Sequence, residues 1–148
     1  MEMIIFMGAQ ATGKSSFFKS RFFHTHMRVN LDMLKTRNRE RILFEACLSA
    51  KQPMVIDNTN PIRAQRAHYI RRAIENQFRI TGFYFQSIAN EAIKRNLTRP
   101  ACQRVPEVAI RATTGRMEHP SLTEGFASLN FVRLENNGFV VEEWKDDI

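Results

Sequence analysis

Eight residues near the start of the chain, Gly8-Ala9-Gln10-Ala11-Thr12-Gly13-Lys14-Ser15, combine the residue types that can hold a phosphate chain. Glycines let a backbone wrap closely around an anion, with successive N–H groups turned into one hollow. The Lys14 ammonium has the reach to meet β- and γ-phosphates, and the Ser15 hydroxyl is a hard oxygen suited to Mg²⁺. The spacing G-x-x-x-x-G-K-[ST] gains weight from its context. The apolar run Met3–Met7 precedes it, and a segment reading as a helix from Lys14 to about Arg21 follows. That helix would aim its positive end at the same anion. Gly8, Ala9, Gln10, Ala11, Thr12, Gly13, Lys14, Ser15 and Ser16 are therefore expected to bind ATP or another nucleoside triphosphate with Mg²⁺. A ligand-free glycine turn is the competing reading, and the strand–loop–helix context disfavours it.

Two carboxylates follow apolar runs. Asp57 closes Met54-Val55-Ile56, where a phosphate-loop enzyme keeps the carboxylate that supports Mg²⁺; capping the turn through Asn58 is its bland alternative. Asp32 follows His26–Asn30 and could take the proton of an acceptor hydroxyl, or could merely cap a helix over the 32–50 segment. Arg95 and Arg99 are spaced i,i+4 and would share one helical face, as lid cations neutralising a transferring phosphoryl group. The alternative is a solvated helix in which Glu91 pairs with Arg95. Arg104, Arg111 and Arg116 extend the basic stretch, so an arginine-rich lid is expected around residues 95–116. His24 and His26 have no further ligands near them in the sequence and do not argue for a metal site.

The elements that must position these groups alternate. Strands are expected at Met3–Met7, His26–Asn30, Met54–Asp57, Arg79–Phe85 and Asn130–Leu134. Helices are expected between them. One runs through Ile42, Leu43, Ala46, Cys47 and Ala50. Another starts at Pro61 with Asn60 as N-cap and turns Ala67, Ile70, Ile74 and Phe78 inward. Further helices are expected over Asn90–Leu97 and Glu107–Met117. Asn137-Gly138 predicts a tight turn that folds Phe139–Glu142 back as a hairpin strand. Phe17, Phe18, Phe22 and Phe23 are expected to pack the first helix on the sheet, with base stacking as the alternative for any exposed one. Apolar strands alternating with helices imply an α/β fold, a mostly parallel sheet covered on both faces. In such sheets ligands bind beyond the carboxyl ends of the strands, so the three polar clusters should meet in one cleft.

The chain has 148 residues, enough for one domain with its own core, and 43% hydrophobic against 25% charged residues is globular composition. A net charge of +7 favours a polyanionic partner, nucleotide or nucleic acid, beside whatever share is solvated surface. Cys47 and Cys102 show no metal or disulfide spacing and suit reduced thiols. No stretch has the length of a membrane span and the first strand is too short for a signal peptide, so a cytoplasmic protein is expected.

Gly8–Ser15, Val29-Asn30-Leu31-Asp32, Ile56-Asp57-Asn58-Thr59-Asn60-Pro61 and Ser121-Leu122-Thr123-Glu124-Gly125-Phe126 together resemble the kinase domain of phage and animal polynucleotide 5′-kinases. The resemblance runs from Ile4 to about Phe131. It implies a three-layer P-loop kinase fold, residues 1–148 as a single kinase domain, sheet order 2-3-1-4-5 and the hairpin strand beyond. It implies transfer of the ATP γ-phosphate to the 5′-hydroxyl of a DNA or RNA end, without the phosphatase domain that accompanies many of these kinases. By position, Lys14 and Ser15 bind phosphates and Mg²⁺, Asp32 is the general base, and Asp57 supports the metal. Arg95 and Arg99 match lid arginines, Arg99 being the stronger phosphate contact. Lys35, Arg37, Asn58, Thr59 and Arg66 fall on the acceptor side. Departures are Ala11 for a common glycine, which requires negative φ there, Leu31 for an arginine, and Lys35 for a substrate-binding arginine. A kinase of a small metabolite, antibiotic or nucleotide sugar would use the same machinery, and a non-catalytic ATP-binding regulatory module would need no Asp32.

Overall fold

A computed structural model describes residues 1–146. Strands β1 (Glu2–Met7), β2 (Met27–Val29), β3 (Met54–Ile56), β4 (Arg79–Phe85), β5 (Ser128–Glu135) and β6 (Gly138–Glu143) form one sheet in the order β2-β3-β1-β4-β5-β6. The first five run parallel and β6 pairs antiparallel with β5. This is the α/β fold and strand order expected. Asn136 and Asn137, both at positive φ (48° and 63°), make the two-residue turn between β5 and β6.

Successive residues of β1 feed opposite layers. Met3, Ile5 and Met7 join a core with Phe44, Leu48, Tyr69, Ile70 and Ala73, from helices α3 (Arg37–Ala50) and α4 (Arg63–Glu75). Ile4 and Phe6 join the other, with Phe17 and Phe18 from α1 (Lys14–Arg21). Burial on both faces explains why the strands read as continuous apolar runs rather than alternating ones. Ala11 of the loop sits in a smaller cluster with Ala92 of α5 (Ala89–Leu97) and Ile110 of α6 (Glu107–Arg116). No helix among the described residues is long and apolar enough to cross a membrane.

Several local expectations are corrected. β2 stops at Val29, because Asn30 leaves the ladder to cap a one-turn helix α2 (Leu31–Leu34), its side chain accepting from Met33 N–H. The 32–50 segment is then broken at Lys35 (φ 75°), and Thr36 caps α3. Asn60 does not cap α4. It sits at φ 43° and donates its amide to the Phe6 carbonyl at 2.7 Å, so the helix starts only at Arg63. Ile42, Ala46, Ala67 and Ile74 face solvent, as does Phe23, which lies beyond the end of α1.

The buried rows of α3 and α4 instead begin with charged residues, Glu40 and Arg66. A helix read by its aliphatic residues alone is therefore rotated away from its true inner face. Arg66 is fully buried, 0% exposed. It forks onto both Glu124 carboxylate oxygens (3.0 and 3.2 Å) and donates to the Asn60 and Glu118 carbonyls (3.0 and 3.2 Å). Glu124 in turn accepts from the Ser121 N–H in a capping box. The Ser121–Phe126 segment is thus the dock for a buried guanidinium.

Breaking a buried, hydrogen-bonded ion pair from one side strands the other charge. Arg66→Met should lower the unfolding free energy by about 3–5 kcal/mol in urea titrations. A loss under about 1 kcal/mol, the scale of an exposed pair, would contradict that account.

Candidate active site

The phosphate loop is held by residues distant in sequence. Gly8 N–H donates to the Thr59 carbonyl at 3.0 Å, and a Cβ on Gly8 would lie 2.8 Å from Phe85 Cβ, so only glycine fits between β1 and β4. Ala9 N–H donates to Ser87 Oγ (3.0 Å), and Thr12 Oγ1 to the Ala9 carbonyl (2.8 Å). Gly13 adopts φ 97° at the entry to α1. Ala11 adopts φ 61°, against the negative value its side chain prefers. Its methyl is buried and its carbonyl accepts from Arg95 Nε at 2.7 Å, contacts that hold the alanine in a conformation usually left to glycine. Gln10 Oε1 is a buried acceptor with no partner among the described residues.

Lys14 Nζ donates to the Gly8 and Ala9 carbonyls at 2.8 and 2.7 Å, at the mouth of the loop. Burial pushes its ammonium down to about 8, with Arg99 adding to the shift and the carboxylates of Asp57 and Asp32 opposing it. Those effects report the convergence the topology requires: groups from the loop, from α2, from beyond β3 and from the segment after α5 meet around one ammonium. They line an open cleft of about 1310 Å³.

Asp57 is buried just past β3, its Oδ2 accepting from Arg28 Nε at 2.7 Å. Ser15 Oγ accepts from Arg28 Nη2 at 2.9 Å. A hydroxyl and a carboxylate therefore already face one positive centre, and this hard-oxygen pair fits Mg²⁺. Among the described residues no three His, Cys, Asp or Glu side chains gather in one place.

Asp32 lies in the first turn of α2, but Asn30 is the cap. Its carboxylate is exposed to the cleft and makes no hydrogen bond or ion pair among the described residues. The capping alternative is thereby removed. Beneath it runs a buried network. Asn58 accepts from Leu31 N–H (2.9 Å) and donates to Glu40 (2.9 Å), which also accepts from Tyr69 OH at 2.6 Å and from Arg37 at 3.0 Å. Burial, reinforced by Glu40, raises the Tyr69 phenol far above its ordinary value, so it stays a donor.

Not every expected contact faces the cleft. Arg66 is sequestered beneath α4, so its acceptor-side assignment is corrected. Arg95 and Arg99 share no helical face, because α5 ends at Leu97; Arg95 braces Ala11 while half-buried Arg99 lines the cleft. Lys35, Arg37, Asn58 and Thr59 line it as well, Asn58 with its amide engaged in the network. Arg28 was not foreseen. Its signal was an arginine inside a short strand that leads to the site, where a parallel sheet normally buries apolar residues.

No family model matches the chain. By sequence it is similar to the bifunctional polynucleotide phosphatase/kinase of Schizosaccharomyces pombe, 30% identical over 135 residues covering 88% of this chain and 33% of that protein. A relative from Acanthamoeba polyphaga mimivirus, provisionally named for the same two activities, is 36% identical over 78 residues, covering 52% of this chain and 18% of its own length. The chain thus spans a third or less of these relatives. Among solved structures, a gluconokinase from Sinorhizobium meliloti matches with TM-score 0.61 at 17% identity, covering 89% of this chain and 82% of that one. That likeness establishes the P-loop kinase fold.

A lysine depressed to about 8 in the fold and near 10.5 when unfolded has one sign of pH dependence. The unfolded chain binds more protons between those values, so Lys14 weakens the ligand-free fold below pH 8 and stops doing so above about 10.5. Paired thermal melts should show Lys14→Met losing ground to wild type as pH rises from 8 to 10. A pH-independent difference would mean that the ammonium is not depressed.

Proposed function

We propose that this chain, whose sequence is similar to polynucleotide phosphatase/kinases of which it spans a third or less, transfers the γ-phosphoryl group of ATP to the 5′-hydroxyl of a DNA or RNA end. The observation that carries this reading is the carboxylate of Asp32, without a partner among the described residues and exposed in the same cleft as the loop lysine. Arg37, Arg41, Arg104 and Arg116 edge that cleft, and the chain carries a net charge of +7. An open, arginine-edged cleft suits a polyanionic strand better than a small neutral acceptor.

In this mechanism the loop N–H groups and the start of α1 hold the donor phosphates, and Lys14 turns from the Gly8 and Ala9 carbonyls to the phosphate oxygens. Asp32 accepts the proton of the acceptor hydroxyl as its oxygen bonds to the γ-phosphorus. The bond from that phosphorus to the bridging oxygen breaks, and ADP leaves. Arg99, half-buried in the cleft wall, meets charge developing on the transferred group. Mg²⁺, held through Ser15 and Asp57, would neutralise the phosphate oxygens. Asn58 and Glu40 keep α2, and so Asp32, in place.

Incubation with labelled ATP and a panel of 5′-hydroxyl DNA, RNA and small acceptors tests the reading. Transfer to oligonucleotides is expected, with KM rising as salt rises. Asp32→Asn should lower kcat by about 10²–10⁴-fold and leave ATP affinity nearly unchanged. Transfer confined to a small acceptor, or wild-type rates from the Asp32→Asn protein, would overturn it.

A further inference from the structure

Arg28 sits where the mechanism requires a metal. It lies in β2, opposite Val55 of β3, and its guanidinium bridges the buried Asp57 carboxylate (2.7 Å) and the Ser15 hydroxyl (2.9 Å). The Asp57 side chain is 2% exposed and that of Arg28 26% exposed, with the guanidinium carbon 5.7 Å from the centre of the Phe18 ring. A carboxylate so buried is strongly destabilising without a cation beside it. Lys14 does not hydrogen-bond to it, since its ammonium is engaged by the Gly8 and Ala9 carbonyls. Arg28 is therefore the counter-ion of the ligand-free site.

We propose that Arg28 is a tethered cation that competes with Mg²⁺ for Asp57 and Ser15, so that the chain takes its metal as a metal–nucleotide complex rather than as a free ion. A divalent ion arriving alone must displace a guanidinium bonded to both protein ligands. It receives in return only two protein oxygens and its own water. A metal already carried on a triphosphate arrives with the loop's anion, whose phosphates engage Lys14 and the loop N–H groups and offer the released Arg28 a new partner. Arg28 thus sets the donor species, ahead of any choice of acceptor. The proposal rests on the metal role of Ser15 and Asp57 given above and is independent of what the acceptor is.

The test is direct binding of Mn²⁺ to nucleotide-free protein, followed by the loss of free-ion signal in electron paramagnetic resonance. Arg28→Met, which keeps the length of the side chain without its charge, should bind Mn²⁺ about tenfold or more tightly than wild type. Asp57→Asn added to that variant should abolish the gain. Equal or weaker binding by Arg28→Met, or a gain that survives Asp57→Asn, overturns the proposal. If circular dichroism shows Arg28→Met unfolded, Arg28→Lys takes its place, because an ammonium cannot bridge both oxygens in the planar fork of a guanidinium. It should also tighten Mn²⁺ binding, and no tightening counts against the proposal. A protein that shows the gain but phosphorylates no oligonucleotide refutes the acceptor assignment alone. One that phosphorylates oligonucleotides without the gain refutes only the role of Arg28.

Discussion

The turn from Asp57 to Asn60 lies where β3 ends beside β1 and β2, and every polar group there must find a partner away from bulk water. Asp57 N–H donates to the Val29 carbonyl, and the Asn30 amide returns to the Asp57 carbonyl at 2.6 Å. Asn58 holds Leu31, Thr59 receives the Gly8 N–H, and Asn60 donates to Phe6. Each bond links the end of one strand to the start of a different functional segment. The phosphate loop, the Asp32 turn and the Asp57 carboxylate are therefore registered by one four-residue connection.

The same constraint governs the charges. Asp57, Glu40 and Arg66 are buried, and each is met by an ionic partner: Arg28, Arg37 and Glu124 respectively. Such pairs are weak evidence for stability, since desolvation offsets much of the attraction, but they fix geometry because only one arrangement satisfies them. Asp32 is the exception. Its carboxylate is exposed in the cleft and has no hydrogen-bond or ionic partner among the described residues.

Much of this was legible in the chain itself. β4 and α1 read correctly because apolar runs and a phosphate-loop pattern are local signals, and the β5–β6 hairpin was expected too, with its turn one residue later than the observed Asn136-Asn137. Hydrophobic periodicity misread α3 and α4, because their inward rows are led by Glu40 and Arg66, which pattern counting assigns to solvent. Asn60 looked like a cap, and Pro61 after it like a helix start. Only the Phe6 carbonyl, far away in sequence, explains its left-handed backbone. Arg28 escaped for a related reason: its partners, Ser15 and Asp57, come from two other elements that only the sheet order brings beside it. The site residues read as isolated donors were visible; the bonds that commit them elsewhere, such as Arg95 to Ala11, were not.

The phosphate loop also has a place in time. The contacts that hold it come from far along the chain, from Thr59, Phe85, Ser87 and Arg95, and Phe139 of β6 packs its ring 5.1 Å from that of Phe17 in α1. A Cβ on Gly13 would lie 2.9 Å from that same Phe139 ring, so the last strand reaches the loop's own hinge. Contacts of such long sequence separation form late, after loop closure has been achieved. The loop is consequently among the last parts of this fold to become rigid. Its anion-binding hollow takes shape only as β4, α5 and the β5–β6 hairpin close around it.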